Sequence, residues 1–450
     1  MRHSEQLPLT APWIGQVHAT ELAAISELLD AQPRLAALAE QDLLRRCRKN
    51  PRTGRTGLTG DQVLRLAIAR QLNAWSYEEL AFHVADSASY RTFCRVSGVE
   101  KAPSKSAVAA NVRALEPRTL ATLNDLLVTG PAARAIERAT TVRIDSTVVP
   151  VAIHAPTDSA LLYDGVRVLL RLLRRAEHLA GFTAYHAHRK RAKRRWLAIQ
   201  QLPPAAARAR RAAYRELLTL AQATVDYATC ALVHLQHLGT PRTRALQRLQ
   251  AQFAHYIPLV AHAIAQAQAR VLREETVASS AKLVSLFEPH TDVLVKDRRE
   301  TLYGHKIFLT GGASGLILDC VIPKGNPGDS TWTLPMLRRH ARRFGEAPQQ
   351  ASLDGAFASA DNLRRGKALG VVDLCFSKKR GLRVPDMVTS SWVYRKLRAF
   401  RAGIESVISL LKRVFGLARC IWKGAAGFHA YVRTAVLAAN LLTLARHRLA

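Results

Sequence analysis

The sequence predicts an α/β fold built on a mixed sheet, with a helical N-terminal part and a large all-helical insertion between the first and second core strands. Three observations predict it. Residues 141–149 (TVRIDSTVV) alternate with period two and are rich in β-branched side chains, which marks a strand. Residues 158–281 then run on with helical Leu, Ala and Arg spacing and no strand-like stretch. Beyond residue 285, strand-like and helical segments alternate.

The N-terminal elements come first. Thr20 to Leu29 and Leu35 to Arg46 have helical apolar spacing, and Ser76-Tyr77-Glu78-Glu79 has the form of a capping box opening a helix over Tyr77–Val84. Ser104-Lys105-Ser106 precedes a further helix, Ala107–Leu115. Short helices with basic residues suit a helix-turn-helix DNA reader; a plain helical support domain has the same pattern. In the strand at 141–149, Val142, Ile144 and Val148 are expected on one face and Arg143, Asp145 and Thr147 on the other. Thr157-Asp158-Ser159 opens the insertion, Arg189 to Arg195 is a strongly positive run, and Pro203-Pro204 and Gly239-Thr240-Pro241 punctuate it. His186 and His188 lack acidic or cysteine companions and are not read as metal ligands.

Strands return at Gly304–Thr310 and Leu316–Ile322, which flank the glycine-rich turn 311–315 of a hairpin. A helix over Leu334–Phe344, a short strand over Gln350–Leu353 ending at Asp354, a helix over Ser359–Leu369 and a strand over Val371–Phe376 follow. Helices over Val393–Leu417 and Phe428–Arg446 close the chain. With the insertion set aside, this is the element order of a ribonuclease-H-like core. The expected domains are a helical DNA-binding or support domain (1–130), a core (140–157 with 285–425), the insertion (158–281) and a C-terminal helix packed on the core (426–450).

Bulk composition narrows the partners. The 450 residues suffice for two or three domains, and 48% hydrophobic content marks a globular chain. Lys and Arg number 66 against 34 Asp and Glu, a formal net charge of +32 that calls for a polyanionic partner, nucleic acid before anionic membrane. The six cysteines form no CxxC pair, which disfavours a zinc ribbon and fits a reducing cytoplasm. The N-terminal segment lacks an apolar signal core, and the most apolar run, Ala425 to Leu444, is broken by His429, Arg433 and Asn440. A cytoplasmic protein without a membrane anchor is expected.

Three acids fall on three separate elements: Asp145 on the first strand, Asp354 at the end of a later one, and Glu405 on the penultimate helix. On a helical wheel Arg401, Lys412 and Glu405 lie at about 0°, 20° and 40°. Leu397, Phe400, Ile404, Leu411 and Phe415 fill the adjoining arc as a buried stripe. Hard carboxylates converging at a sheet edge suit Mg²⁺ beside a phosphate backbone, and two such ions can serve an in-line displacement at phosphorus. Each acid also has an ordinary alternative: a strand-end surface acid for Asp145, a turn residue before Gly355 for Asp354, and an i−4 ion pair with Arg401 for Glu405.

The chain resembles the DDE transposases of insertion sequences, most closely the ISNCY type, from about residue 60 onward. The resemblance rests on an ordered string of segments: 143–149 (RIDSTVV), 154–159 (HAPTDS), 164–169 (DGVRVL), 286–292 (LFEPHTD), 303–306 (YGHK), 326–330 (NPGDS), 354–359 (DGAFAS) and 401–412. It implies that Asp145, Asp354 and Glu405 form the catalytic, metal-binding triad. The implied cofactor is a pair of Mg²⁺ ions, with Mn²⁺ as substitute. Arg401 and Lys412 are implied as DNA contacts, and Arg398 and Lys306 are further DNA-binding candidates. Two departures stand out: Arg398 occupies a position where related enzymes carry a tyrosine, which Tyr394 does not simply replace, and Ala356 stands where a second glycine is common.

The implied reaction is Mg²⁺-dependent strand cleavage at element ends, followed by attack of the freed 3′-OH on target DNA. The implied partners are double-stranded DNA, as terminal inverted repeats and target, and a second copy on paired ends. The implied setting is the bacterial cytoplasm, at the nucleoid. The competing functions are a transposase-derived, sequence-specific DNA-binding protein without cleavage, a nuclease without strand transfer, and an anionic-membrane protein, which lacks a suitable amphipathic anchor.

Overall fold

The computed structural model describes residues 16–46, 57–97, 101–203, 205–238, 243–296, 300–378 and 380–450. The N-terminal segment through Trp13, Cys47, Pro204 and the Gly239-Thr240-Pro241 punctuation lie outside them. The chain divides into two compact units, residues 1–152 with 305–450, and residues 153–304.

The first unit opens with helices. These are α1 (Val17–Asp30), α2 (Pro33–Arg46), α3 (Gly60–Leu72), α4 (Tyr77–Asp86), α5 (Ala88–Phe93), α6 (Lys105–Val112), α7 (Pro117–Thr129) and α8 (Pro131–Ile136). Local chemistry sets their starts. Thr59 and Ser76 each form a full capping box, with Gln62 and Glu79, and Ser104 caps α6 through the Ala107 amide. Arg65 is fully buried on α3. It binds Asp61, Ser26, Asp30 and the Phe93 carbonyl, so one guanidinium ties α1, α3 and α5 together.

Strand β1 (Thr141–Pro150) follows, and after the excursion through the second unit come β3 (Glu300–Gly311), β4 (Ile317–Val321), α13 (Thr333–Phe344), β5 (Gln350–Leu353), α14 (Ala360–Ala368), β6 (Asp373–Phe376), α15 (Val384–Met387), α16 (Ser391–Arg413) and α17 (Gly424–Leu449). In this unit the strand order is β4-β3-β1-β5-β6. β3 and β4 are antiparallel, whereas β1, β5 and β6 run parallel, so the sheet is mixed. The β3–β4 turn needs Gly315, whose φ of 89° is a conformation that L side chains rarely adopt. Glu137 secures this turn, accepting hydrogen bonds from the Ser314 amide (2.8 Å) and hydroxyl (2.7 Å).

Helix α17 covers the outer strand. Its fully buried Asn440 accepts from the Ile317 amide (2.8 Å) and donates to the Ile317 carbonyl (2.9 Å) and to Asn124 on α7 (2.8 Å). The polar residue that interrupts the apolar C-terminal run is therefore a hydrogen-bonding partner for a strand edge. Among the described residues no helix is long and apolar enough to cross a membrane.

The second unit holds α9 (Asp158–Ala180), α10 (Arg189–Gln201), α11 (Ala207–His237) and α12 (Arg244–Ala267). They share a core that includes Leu169, Leu173, Leu217, Ala221, Phe253 and Val260. Gln266 on α12 donates to Asp158 at the start of α9 (2.8 Å), and Arg270 pairs with the same carboxylate (2.7 Å). β2 (Asp292–Lys296) pairs antiparallel with residues 300–304.

Two expectations need correction. β2 was not foreseen: Val293-Leu294-Val295 is a brief apolar run between Asp292 and Lys296 with no period-two alternation. In β1 the buried residues are Val142, Arg143, Ile144 and Val149, whereas Val148 is only half-buried. Pairing with β5 runs from Thr141 to Ile144, and the simple alternation does not persist beyond it.

His340, on α13, is 3% exposed, and burial pushes its imidazole down to about 4. The unfolded chain takes up this proton near pH 6.5 and the folded one does not, so stability contributed by neutral His340 is present above that pH and lost as pH falls. The loss at about pH 5 should be about 2 kcal/mol relative to pH 7.5. Urea unfolding of wild type and His340→Gln at both pH values checks this; equal losses in the two proteins would refute it.

Candidate active site

Helix α16 lies across the parallel strands, and the strands hold it by a row of donors. Arg143 on β1, Ser352 on β5 and Cys375 on β6 are register neighbours. The Arg143 guanidinium donates to the Phe400 carbonyl (3.1 Å), the Ser352 hydroxyl to the Leu397 carbonyl (2.8 Å), and the Cys375 thiol makes a long contact to the Tyr394 carbonyl (4.0 Å). The acceptors are spaced every three residues along the helix, and the donors come one from each strand. Leu397, Ile404, Leu411 and Phe415 are buried as the expected stripe; Phe400 is half-buried, with the Arg143 guanidinium 4.8 Å from its ring centroid.

Two residues further along each strand, on the same face, come Asp145, Asp354 and Ser377. The Ser377 amide bonds to the Leu353 carbonyl (3.0 Å), and the Ser377 hydroxyl donates to Asp354 Oδ1 (2.8 Å). Asp145 Oδ1 accepts from the Ser146 amide (2.8 Å), and its Oδ2 accepts from Arg401 Nη1 (2.9 Å). The other arm of Arg401, Nη2, donates to Glu405 Oε1 (2.8 Å). Arg401 thus joins the first strand's acid to the helix acid. The i−4 pair weighed as the ordinary alternative for Glu405 is present, and the same guanidinium also engages Asp145.

Electrostatics distinguish the two aspartates. Burial pushes the Asp145 carboxyl up to about 6, with the charges of Asp354 and Asp329 adding to the effect and the Ser146 amide and Arg401 opposing it. Asp354 is half-buried, which pushes its carboxyl up, but the Ser377 hydroxyl, the Gly355 amide and nearby Arg401 hold it below the usual carboxylate range. Glu405 is 64% exposed on its side chain, against 17% for Asp145.

Sequence inspection missed the role of Asp329. Its Oδ1 accepts from the Ser146 hydroxyl (3.1 Å) and from Lys306 Nζ (3.0 Å), which places a fourth acid beside Asp145. Asp329 lies in the 326–330 segment of the family resemblance, but an Asp after Pro-Gly at a helix start reads as turn chemistry and was given no role. Lys306 also donates to the Pro327 carbonyl (2.9 Å), so its amine is engaged in holding the 327–329 loop. Arg398 is exposed on α16 with its guanidinium 5.7 Å from the centroid of the Tyr394 ring, and Lys412 lies half-buried further along. Tyr394 is buried and its hydroxyl donates towards the Phe376 carbonyl (3.3 Å), facing the protein rather than solvent. His305 packs edge-on against Phe428 (4.6 Å), and His186 and His188 lie against Tyr227.

Among the described residues no three His, Cys, Asp or Glu side chains gather closely enough to surround one ion. Asp145 and Asp354 nevertheless fit a hard divalent cation. They are oxygen donors that sense each other's charge, and Asp145 is a partly buried carboxyl pushed up to about 6 although Arg401 lies beside it. Glu405 is linked to them through Arg401 rather than directly.

Residues 295–441 match the family described as transposase DDE domain. The matched span, about a third of the chain, contains Asp354, Arg401 and Glu405; Asp145 precedes it. Over that span the protein carries a transposase DDE domain, the domain of DNA-processing enzymes that generally use divalent metal ions. No curated protein and no solved structure matches the chain.

Gly403 makes the Arg143 contact possible. A Cβ there would stand 1.8 Å from Arg143 Nη1 and 2.7 Å from its Cζ. Gly→Ala inside a helix ordinarily stabilises by up to about 1 kcal/mol. Here it displaces a buried guanidinium from its carbonyl, so Gly403→Ala should destabilise by roughly 1–3 kcal/mol. The cost should largely vanish in an Arg143→Met background. Denaturant unfolding of the four proteins tests this, and an equal cost in both backgrounds would count against it.

Proposed function

We propose that the protein is the transposase of a bacterial insertion sequence, of the ISNCY type, cutting DNA strands at element ends and joining the freed 3′ ends to target DNA. The observation that carries this is the Asp145–Arg401–Glu405 link with Asp354 alongside, in a chain whose transposase DDE domain supplies two of the three acids. The strand order β4-β3-β1-β5-β6 supports a ribonuclease-H-like core.

Asp145, Asp354 and Glu405 would hold the divalent ions, Mg²⁺ with Mn²⁺ as substitute. When bound, the ions supply charge neutralisation for attacking and leaving oxygens at phosphorus. The chain's own groups orient the reactants. The strand row fixes α16, and α16 fixes Arg401 and Glu405 relative to Asp145. Arg401, planar and bidentate, is suited to pass from the carboxylates to a DNA phosphate, with Lys412 and Arg398 as further phosphate contacts. Asp329 and Lys306 position Ser146 and the loop beside Asp145. The helices of residues 17–136 are the candidate reader of the terminal inverted repeats, and joining two ends calls for a homodimer on paired DNA. The expected setting is the bacterial cytoplasm, in association with the nucleoid.

Duplexes carrying the inverted repeats that flank the gene provide the test. Wild type should nick them in Mg²⁺. Asp145→Asn should slow nicking by at least about 100-fold, the loss that removal of an outer-shell metal partner alone can reach, while duplex binding persists. Equal rates for the two proteins would remove Asp145 from the chemistry. Binding without nicking by wild type, in Mg²⁺ and in Mn²⁺, would instead identify a DNA-binding protein that no longer cuts.

A further inference from the structure

We infer that the helical unit of residues 153–304 carries its own binding site for the sugar–phosphate backbone of duplex DNA, in a cleft along α9. This rests on the chain being a DNA transposase, and it gives the insertion a role that the acid site does not.

The cleft has a volume of ≈ 850 Å³ and lies within this unit. Arg167, Arg171, Arg174 and His178 line it from α9, Arg189 from the start of α10, and Phe287 from the loop before β2. The four α9 residues fall within about 60° on the helical wheel, at 0°, 40°, −20° and 20°, and extend over about 16 Å of helix. No acidic residue lines the cleft among the described residues.

Their gathering in one acid-free concavity sets these arginines apart. Some arginines elsewhere in the unit are matched to acids: Arg195 to Glu216, Arg211 to Glu274, Arg270 to Asp158 and Arg273 to Glu275. In the cleft Arg167 is held by Asp164 (2.7 Å) and stacks near the exposed Phe287 ring (5.7 Å). Arg171, Arg174 and Arg189 form no ion pair among the described residues. Unneutralised guanidinium groups gathered in a concavity repel one another, and a polyanion removes that cost. One phosphate is too small for a stripe about 16 Å long, whereas each strand of a duplex offers a phosphate about every 3.4 Å along its axis. Guanidinium forks suit phosphate oxygens, and the Phe287 ring offers an apolar wall for the sugars.

The experiment measures affinity of the full chain for a fluorescent duplex of about thirty base pairs over a range of salt concentrations. Each lost phosphate contact lowers the log–log salt slope by about 0.9, so Arg171→Gln/Arg174→Gln/Arg189→Gln should lower it by about 2.7. The corresponding triple lysine variant, which keeps the charge, should retain nearly the wild-type slope. A glutamine variant with the wild-type slope would overturn the cleft as a DNA site, as would a lysine variant that loses as much as the glutamine one. A wild-type chain that binds duplex without salt dependence would instead overturn the transposase reading beneath it.

Discussion

Everything at the acid site depends on how α16 is seated. A helix over a sheet can slide or turn, because apolar packing is non-directional. Here three strands each present a side chain to it, and the acceptors are carbonyls three residues apart. The Arg143 anchor is the strongest of the three, since its donor is charged. It is also the most demanding, since a buried guanidinium that loses its acceptor leaves a costly unpaired group. With α16 fixed, Arg401 reaches Asp145 and Glu405 together.

Charge is then allotted locally. The chain carries a large positive excess, yet Asp145 sits where burial and neighbouring acids make its ionisation unfavourable. Arg401 partly offsets that, as does the Ser146 amide. Asp354 is tuned the other way by the Ser377 hydroxyl and backbone amides. Two carboxylates at neighbouring positions on parallel strands thus face different demands.

Much of this was legible in the residues. The alternation around Asp145, the hairpin before Leu316, and the strand ending at Asp354 each carried a local signal of period or turn chemistry, and the structure has strands at all three. The capping box at Ser76 is formed as its spacing indicated. The basic and acidic face of α16 was visible on a helical wheel, including the pair between Arg401 and Glu405. What stayed hidden depends on contacts between distant segments. Asp329 joins the site through Ser146, 183 residues away, and its place in the 326–330 segment does not reveal that partner. Gly403 resembles a weak point in a helix until Arg143 is seen beneath it. Lys306 is a DNA-binding candidate by sequence, and its ion-pair partner, a carboxylate 23 residues on, was not visible there.

The buried amide of Asn440 has a further consequence. By serving both backbone groups of Ile317, it occupies bonding capacity that another molecule's strand would otherwise use. Copies of this protein brought together cannot zip their sheets edge to edge at that residue.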